Sequence, residues 1–455
     1  MSLRSLAATL DGELLEPGDA GYDAARTVWN AMIDHRPRAI ARCASAADVA
    51  AAVRAGRAAG LELGVRCGGH GVLGLAVPED GLMLDLTPLC AVRVDAAARR
   101  AWVGGGALLG ALDRAAQAHG LATTAGNVSH TGVGGLTLGG GMGWLAREHG
   151  LTCDNVIAFE LVTAEGEQVR ADAEHNEELF WGLQGGGGNF GVVTGFEFRL
   201  HPVGTEALVV ELYFTPDDAP AVLQGWRELS ASAPRAATFT AWVGEAGAPF
   251  IPAGVRGRPL VSAGFVWIGD PDAGLRLLPA LRALGEPVAE RIEAMSYLRL
   301  QRMDDTLEGH ALRRYWKGHY LAELPDAAIA AYVTRGAQDG DRLPSCSLQA
   351  YGGAIAERPD ADAAFSQRTT QFEFVASARW EDPDEDGARM AAARRTAAAL
   401  DPFASGAYVN VISDEGAAGV ARAYSPAKLA RLTALKDAWD PDNVFHRNQN
   451  IPPSR

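Results

Sequence analysis

Glycine is unevenly placed along this chain of 455 residues, and its clustering constrains the fold more than any other feature. Four clusters stand before residue 200: Gly68-Gly69 with Gly71 and Gly74, Gly104 to Gly106, Gly132 to Gly143, and Gly185 to Gly191. Glycine permits positive φ and close backbone approach, so exposed N–H groups can converge on an anion. One such cluster reads equally well as a turn. Four in one region require a fold that brings several backbone loops together.

The first cluster closes a strand–helix–strand pattern. Ala39 to Cys43 reads as a strand, and Ser45 with Asp48 three residues on opens a helix in the manner of a capping box. Gly60 stops that helix, and Leu61 to Val65 forms the next strand, running into Arg66-Cys67-Gly68-Gly69-His70-Gly71. A unit of this kind is a common phosphate cradle. Gly186-Gly187-Gly188-Asn189-Phe190-Gly191 matches the dinucleotide pattern G-x-G-x-x-G, but it follows a helix (Asn176–Gln184) and opens a strand (Val192–Leu200). A Rossmann loop does the reverse, so a nicotinamide site of that type is rejected. No lysine lies in a Walker A context, and neither HExxH nor GxSxG occurs.

Further strands are expected at Gly81–Leu86, in a hairpin of Val92–Asp95 with Arg100–Val103, and in a second hairpin of Val156–Thr163 with Glu167–Val169. Ala107–His119 reads as a helix. Pro202 and Gly204 mark a change of texture, and from 206 to 402 longer strands (Leu208–Phe214, Leu260–Trp267, Ser345–Tyr351, Phe372–Trp380) alternate with Ala-rich helices. That pattern predicts an α+β fold of two domains, the second an antiparallel sheet with helices on one face. The length suits two cores.

A formal charge of −15 with no basic run argues against a nucleic-acid partner. No apolar run approaches the roughly 20 residues of a membrane span, and no secretory signal is legible, so a cytoplasmic location is expected. Cys43, Cys67, Cys90, Cys153 and Cys346 are odd in number, with no CxxC pair, which points away from a disulfide framework and from a metal site.

Several strings carry a resemblance. Val65-Arg66-Cys67-Gly68-Gly69-His70, Gly132-Val133-Gly134-Gly135-Leu136-Thr137-Leu138-Gly139-Gly140-Gly141-Met142-Gly143-Trp144-Leu145 and Gly150-Leu151-Thr152-Cys153-Asp154-Asn155-Val156 are similar to those of the berberine bridge enzyme-like family of FAD-linked oxidases. So are Leu179-Phe180-Trp181 leading to Gly185–Gly191, and the closing Asp440-Pro441-Asp442-Asn443-Val444-Phe445 with Asn448-Gln449-Asn450-Ile451-Pro452. These matches run in family order from about residue 35 to 452. The resemblance implies a vanillyl-alcohol-oxidase-type fold. Its FAD-binding domain would span 1–205, with a core of about 35–205, its substrate domain 206–402, and its C-terminal return 403–455.

The resemblance also implies site residues. FAD would be bonded through its 8α carbon to His70, and by that bond alone, because Ala125 to Thr131 contains no cysteine where many relatives place a second link; Cys67 and Cys153, in neighbouring loops, are the alternatives for such a link. Its other contacts would be Arg66, Cys67, Gly68, Gly69, Gly71, Gly74, Gly132, Gly134, Gly135, Thr137, Gly140, Gly141, Gly143, Asp154, Asn155, Ile157, Gly191, Val192, Tyr408, Asn448 and Asn450. His130 either faces the flavin or holds its loop. Tyr408 and Asn410, two apart, are expected on one face of a strand, and Gln349 and Tyr351 likewise. Tyr315 and Lys317 are placed ahead of a helix, within reach of the same cleft. Glu373 is the candidate base, although an alternating strand could equally leave its carboxylate exposed. A small-molecule donor and molecular oxygen as acceptor are expected, with Ile157 at the position that gates oxygen. A dehydrogenase and a silent flavin- or ligand-binding protein are the alternatives.

Overall fold

In the computed structural model, residues 3–305, 311–335 and 337–455 are described. The Ser45 side chain accepts from the Asp48 N–H and so caps the helix Ala46–Ala58. Only half of the expected capping box forms. The Asp48 carboxylate instead collects the N–H groups of Asp11, Gly12 and Ala44 at 2.8, 3.0 and 2.8 Å, which ties the N-terminal segment to the helix start. Gly60, at φ +64°, ends the helix and turns the chain into the strand Leu63–Arg66. That strand and Ala39–Arg42 both lie parallel to Leu82–Asp85, which separates them, and Glu13–Leu15 adds an antiparallel edge.

A second sheet is wholly antiparallel, in the order Val92–Asp95, Arg100–Gly104, Val192–Arg199, Val156–Val162, Gln168–Asp172. Both expected hairpins are in it. The helix Ala46–Ala58 is rich in alanine because it is squeezed between the two sheets, with Val49 and Val53 in one core with Leu82, Val162 and Val192.

The third sheet has eight strands, all antiparallel: Ala289–Ser296, Glu206–Phe214, Pro259–Ile268, Ala237–Glu245, Ser345–Ala350, Phe372–Trp380, Arg313–Leu321 and Ala404–Gly406. A period of two divides its faces. One face is apolar: Val210, Leu212, Phe239, Phe265, Leu348 and Phe374 share a core with Leu223 and Trp226 of the helix Ala219–Ala231 and with Ile329 of Asp326–Thr334. On the opposite face, paired residues form one row across the sheet: Glu211, Gly264, Thr240, Gln349, Glu373, Tyr320 and Gly406.

This alternation corrects one expectation. Tyr315 and Lys317 do not precede a helix; they lie within the strand Arg313–Leu321, on the face opposite Tyr320. There both bond to Asp414, at 2.8 and 2.7 Å, and neither reaches the Glu373 row. The sheet also runs past residue 402, since Ala404–Gly406 is its last strand. The chain then crosses back, and Leu435 of the helix Pro426–Trp439 packs in the first core with Leu179 and Leu183.

Its end is fastened by a buried ion pair. Lys436 and Asp440 are both 0 % exposed and 2.7 Å apart. The Asp440 carboxylate also accepts from the N–H groups of Val444 and Phe445, and Lys436 donates to the carbonyls of Asn189 and Phe445. The closing string and the Gly185–Gly191 cluster are therefore one structural joint. Among the described residues no helix is long and apolar enough to cross a membrane.

Candidate active site

Two glycine segments meet backbone to backbone. A Cβ on Gly68 would lie 2.3 Å from the Gly132 nitrogen, and one on Gly132 would lie 2.4 Å from the Gly68 nitrogen and 2.5 Å from Cys67 Sγ. Beside this contact the space opens, and a Cβ on Gly71, Gly135 or Gly188 would meet nothing within 4 Å. Buried polar atoms without a partner among the described residues are Thr137 Oγ1, in the second glycine segment, and Asn448 Oδ1 and Asn450 Oδ1, in the closing string that bonds to the Gly188 carbonyl. Buried polar groups are rarely left unpaired, so a cradle of bare backbone accompanied by such atoms suits a large polar group such as FAD.

His70 follows the first cluster. Its ring stacks on Trp29 with centroids 4.3 Å apart and planes 19° apart, and the Arg314 guanidinium lies over the same indole at 4.0 Å. Its Nε2 lies 2.7 Å from Nδ1 of His130. Burial, with help from His130 and the Arg314 charge, pushes the His70 imidazole down to about 3, so it is neutral at pH 7. Cys67 donates to the Ala107 carbonyl at 3.4 Å, and burial pushes its thiol up to about 11. It is therefore no thiolate. Burial raises Cys153 further still.

Other residues grouped with the cofactor also have partners within the protein. The Asp154 carboxylate is held by Arg358 at 2.6 Å, by Arg368 at 2.7 Å and by the Leu151 N–H at 3.0 Å, a junction between the two halves of the chain. Asn155 donates to the His149 and Leu151 carbonyls and meets His201 at 2.6 Å. Every polar atom of these two side chains is bonded within the protein, so both hold the loop after Gly150 in place. Arg66 gives Nη1 to the Ala25 carbonyl at 2.6 Å and faces Asp85. Gly74, Gly143 and Gly191 mark close packing, since a Cβ there would strike Ile33, the Ala125 carbonyl or Leu161. Val192 is in the core beside Ala46–Ala58, and Ile157 is half-buried at the start of its strand.

The remaining candidates lie on or beside the row of the eight-stranded sheet. Glu373 is buried, not exposed, and its Oε2 accepts from the Tyr351 hydroxyl at 2.6 Å. Burial pushes its carboxyl up to about 7, although the Tyr351 hydrogen bond works the other way. Tyr320, its cross-strand neighbour, has a buried hydroxyl with no partner among the described residues. Its ring lies 5.4 Å from Tyr351 and 6.2 Å from Tyr408.

Tyr408 and Asn410 are not on a strand. Pairing stops at Gly406, and Val409–Val411 is a 3₁₀ turn. The two side chains meet through a hydrogen bond instead, Asn410 Nδ2 to the Tyr408 hydroxyl at 2.9 Å. That hydroxyl also accepts from the Gly141 N–H at 2.8 Å, and Asn410 donates to the Leu136 carbonyl at 3.2 Å. The return segment is thereby pinned onto the Gly132–Gly143 cluster, with Gly140 packed against Phe365 and Tyr408. Gln349, beside Glu373 on the next strand, accepts from Asn127 at 3.3 Å, and its Nε2 has no partner among the described residues.

Gln349 and Asn127 also line a cavity of about 400 Å³ on the same sheet face. Its walls include Trp144, Trp242, Tyr213, Glu211, Glu245 and Asp304, and among the described residues no lysine or arginine. The structure thus brings Glu373, Gln349, Tyr351, Tyr408 and Asn410 together and leaves Tyr315 and Lys317 outside. Sequence reasoning missed Trp29, Arg314 and Tyr320. In Arg313–Leu321 both faces carry aromatic residues, so alternation gave no contrast to read, and Trp29 stands in no motif.

A glycine cradle followed by a neutral, stacked histidine, together with a buried carboxyl on an antiparallel sheet, defines a class: the two-domain α+β flavin-linked oxidoreductases. Residues 37–172 match the model of an FAD binding domain, and residues 407–452 match that described as berberine and berberine like. The (R)-6-hydroxynicotine oxidase of Paenarthrobacter nicotinovorans is 30% identical over 98% of this chain and 97% of its own. The crystal structure of 6-hydroxy-D-nicotine oxidase from Arthrobacter nicotinovorans superposes with a TM-score of 0.83 at 29% identity, covering 98% of this chain and 99% of that one. The fold is shared as well with a berberine bridge enzyme-like protein of Physcomitrella patens, at a TM-score of 0.89 and 23% identity over the whole of both chains. The chain belongs to the berberine bridge enzyme-like family of FAD-linked oxidoreductases, and it is an FAD-dependent enzyme.

Proposed function

We propose that this protein is an oxidase carrying FAD on a single covalent bond to His70, and that it oxidises a C–H bond of a small organic donor. The observation that carries the reading is the neutral His70 imidazole, stacked on Trp29 directly after the Gly68-Gly69 pair, in a chain that also buries a raised carboxyl at Glu373. When bound, FAD would supply the two-electron acceptor for the donor's hydride and the route from there to dioxygen. Thr137, Asn448 and Asn450 would hold its polar groups beside the backbone of Arg66–Gly71 and Gly132–Gly143.

Glu373 takes the donor's proton. Its pKa of about 7 leaves it part ionised at neutral pH and strong enough as a base, and Tyr351 fixes the orientation of its carboxylate. Tyr408 and Asn410 close the site over the glycine segment, and Gln349 presents its free amide N–H to the donor. The cavity wall is aromatic and carries Glu245 and Asp304, with Glu211 paired to Arg291, and it favours neutral or cationic donors over anions. We assign 1–205 to cofactor binding, 206–402 to the donor and 403–455 to the return, and Ile157 to oxygen access. The odd, unpaired cysteines support a cytoplasmic location.

The test is peroxide release against a donor panel of alcohols, sugars and cyclic amines, run beside an artificial acceptor under argon. Peroxide formed at the rate of donor loss supports the oxidase. Turnover with the artificial acceptor alone identifies a dehydrogenase, and no flavin reduction by any donor returns the chain to a binding role.

A further inference from the structure

His130 is the one group in hydrogen-bond contact with the His70 ring among the described residues, and its own Nε2 is buried with no hydrogen-bond partner among them. It is held there firmly. The Ser129 N–H and hydroxyl both donate to Asp305, at 2.8 and 2.7 Å, and the Ser129 carbonyl accepts from the Gly110 N–H at 2.8 Å. On the other side, the Thr131 carbonyl accepts from the Leu109 N–H at 2.9 Å. His70 is fixed as well, because the Trp29 on which it stacks donates its backbone N–H to the Gly69 carbonyl at 3.0 Å.

The two rings share one N···N contact, so one nitrogen donates and the other accepts. A neutral imidazole has a single lone-pair nitrogen available for attack. If His130 Nδ1 were the donor, it would occupy the only lone pair of His70, and His70 Nδ1 would carry the proton. If His70 Nε2 is the donor, the lone pair sits on His70 Nδ1, which has no protein hydrogen bond among the described residues. Only the second arrangement leaves His70 a nucleophile.

We propose that His130 is a positioning residue for cofactor attachment, which holds His70 in the Nε2–H tautomer and accepts that proton as Nδ1 bonds to the flavin. The inference rests on the covalent reading of His70 given above. One C–H bond of the flavin 8α methyl group and one N–H bond of His70 break, and one C–N bond forms. Both hydrogens leave as protons, that of His70 by way of His130. The two electrons reduce the flavin ring and pass to dioxygen, giving hydrogen peroxide. Burial keeps both histidines below the ordinary imidazole range, so the pair is neutral and ready to share one proton.

The experiment compares wild type, His130→Ala and His130→Asn as purified holoproteins. It measures total flavin per chain, the share retained by the acid-precipitated polypeptide, and the linked nitrogen by NMR of the flavin peptide. The asparagine amide can accept the Nε2 hydrogen bond but cannot take the proton. We expect near-equal total flavin in all three, a retained share at least tenfold lower in His130→Ala, an intermediate share in His130→Asn, and linkage at Nδ1. A wild-type share in His130→Ala, or linkage at Nε2, overturns the proposal. So does loss of all flavin from both variants, which would make His130 a cofactor-holding residue. Flavin washing out of the wild type overturns the covalent reading itself and is distinguishable from these.

Discussion

At the residue scale, Glu373 carries opposite demands. Its carboxyl is raised from near 4.5 to about 7 by burial, so in the folded protein it resists ionising where the unfolded chain already has. The folded pKa lies above the unfolded one, and for an acid this means stability is lost as pH rises from about 4.5 to 7 and stays lower above that. The difference amounts to about 3 kcal/mol by linkage. Glu373→Gln should therefore unfold at a higher temperature than wild type at pH 8, with the gap closing near pH 4. The same substitution should lower the rate of flavin reduction by roughly 10²- to 10⁴-fold, as expected for loss of a general base. In the wild type that rate should climb with pH through about 7, read by stopped-flow bleaching of the flavin. A flat profile, or a fully active glutamine variant, would remove Glu373 from the chemistry.

At the scale of elements, joints matter more than elements. Asp440 sits at the end of the helix Pro426–Trp439, and its carboxylate serves Lys436 and two backbone N–H groups in full burial. Asp440→Ala would strand the Lys436 ammonium in the interior, at a cost of about 3–5 kcal/mol in denaturant unfolding. Asp442→Ala, at an exposed neighbour paired with Arg57, should stay within about 1 kcal/mol of wild type. The contact of Gly68 with Gly132 has no room for a methyl group, so Gly132→Ala should force the cradle open and lower flavin content per chain. The strings that build such joints were legible in the sequence because they are runs of consecutive residues, whereas the Lys436–Asp440 pair that fastens them was not. The eight-stranded sheet was half legible. Leu208–Phe214 and Phe372–Trp380 stand out by their apolar residues, whereas Ala289–Ser296 is a half-exposed edge and Ala404–Gly406 is three residues long. Tyr408 and Asn410 are neighbours for a different reason than strand alternation, since a hydrogen bond and a 3₁₀ turn join them.

At the scale of the whole molecule, the site exists only where the two halves of the chain close on each other. Tyr408 bonds Gly141, Arg358 and Arg368 bond Asp154, and Asn127 bonds Gln349, each contact crossing from one half to the other. Sequence motifs carry the match to an FAD binding domain, because an anion cradle is built from consecutive residues. The donor side is assembled from strands far apart in the chain, and so the cavity wall of Trp144, Trp242 and Glu211 was not readable. That wall predicts that, among donors of equal size, amines and neutral alcohols reduce the flavin faster than carboxylates, measured as the rate of bleaching. The measurement that bears most directly on the central claim is the intact mass of the denatured polypeptide, wild type beside His70→Ala. A wild-type chain heavier than its sequence by one FAD, with a His70→Ala chain at the bare sequence mass, is the predicted result. A wild-type chain at the bare sequence mass, or a His70→Ala chain that keeps the added FAD, would contradict it.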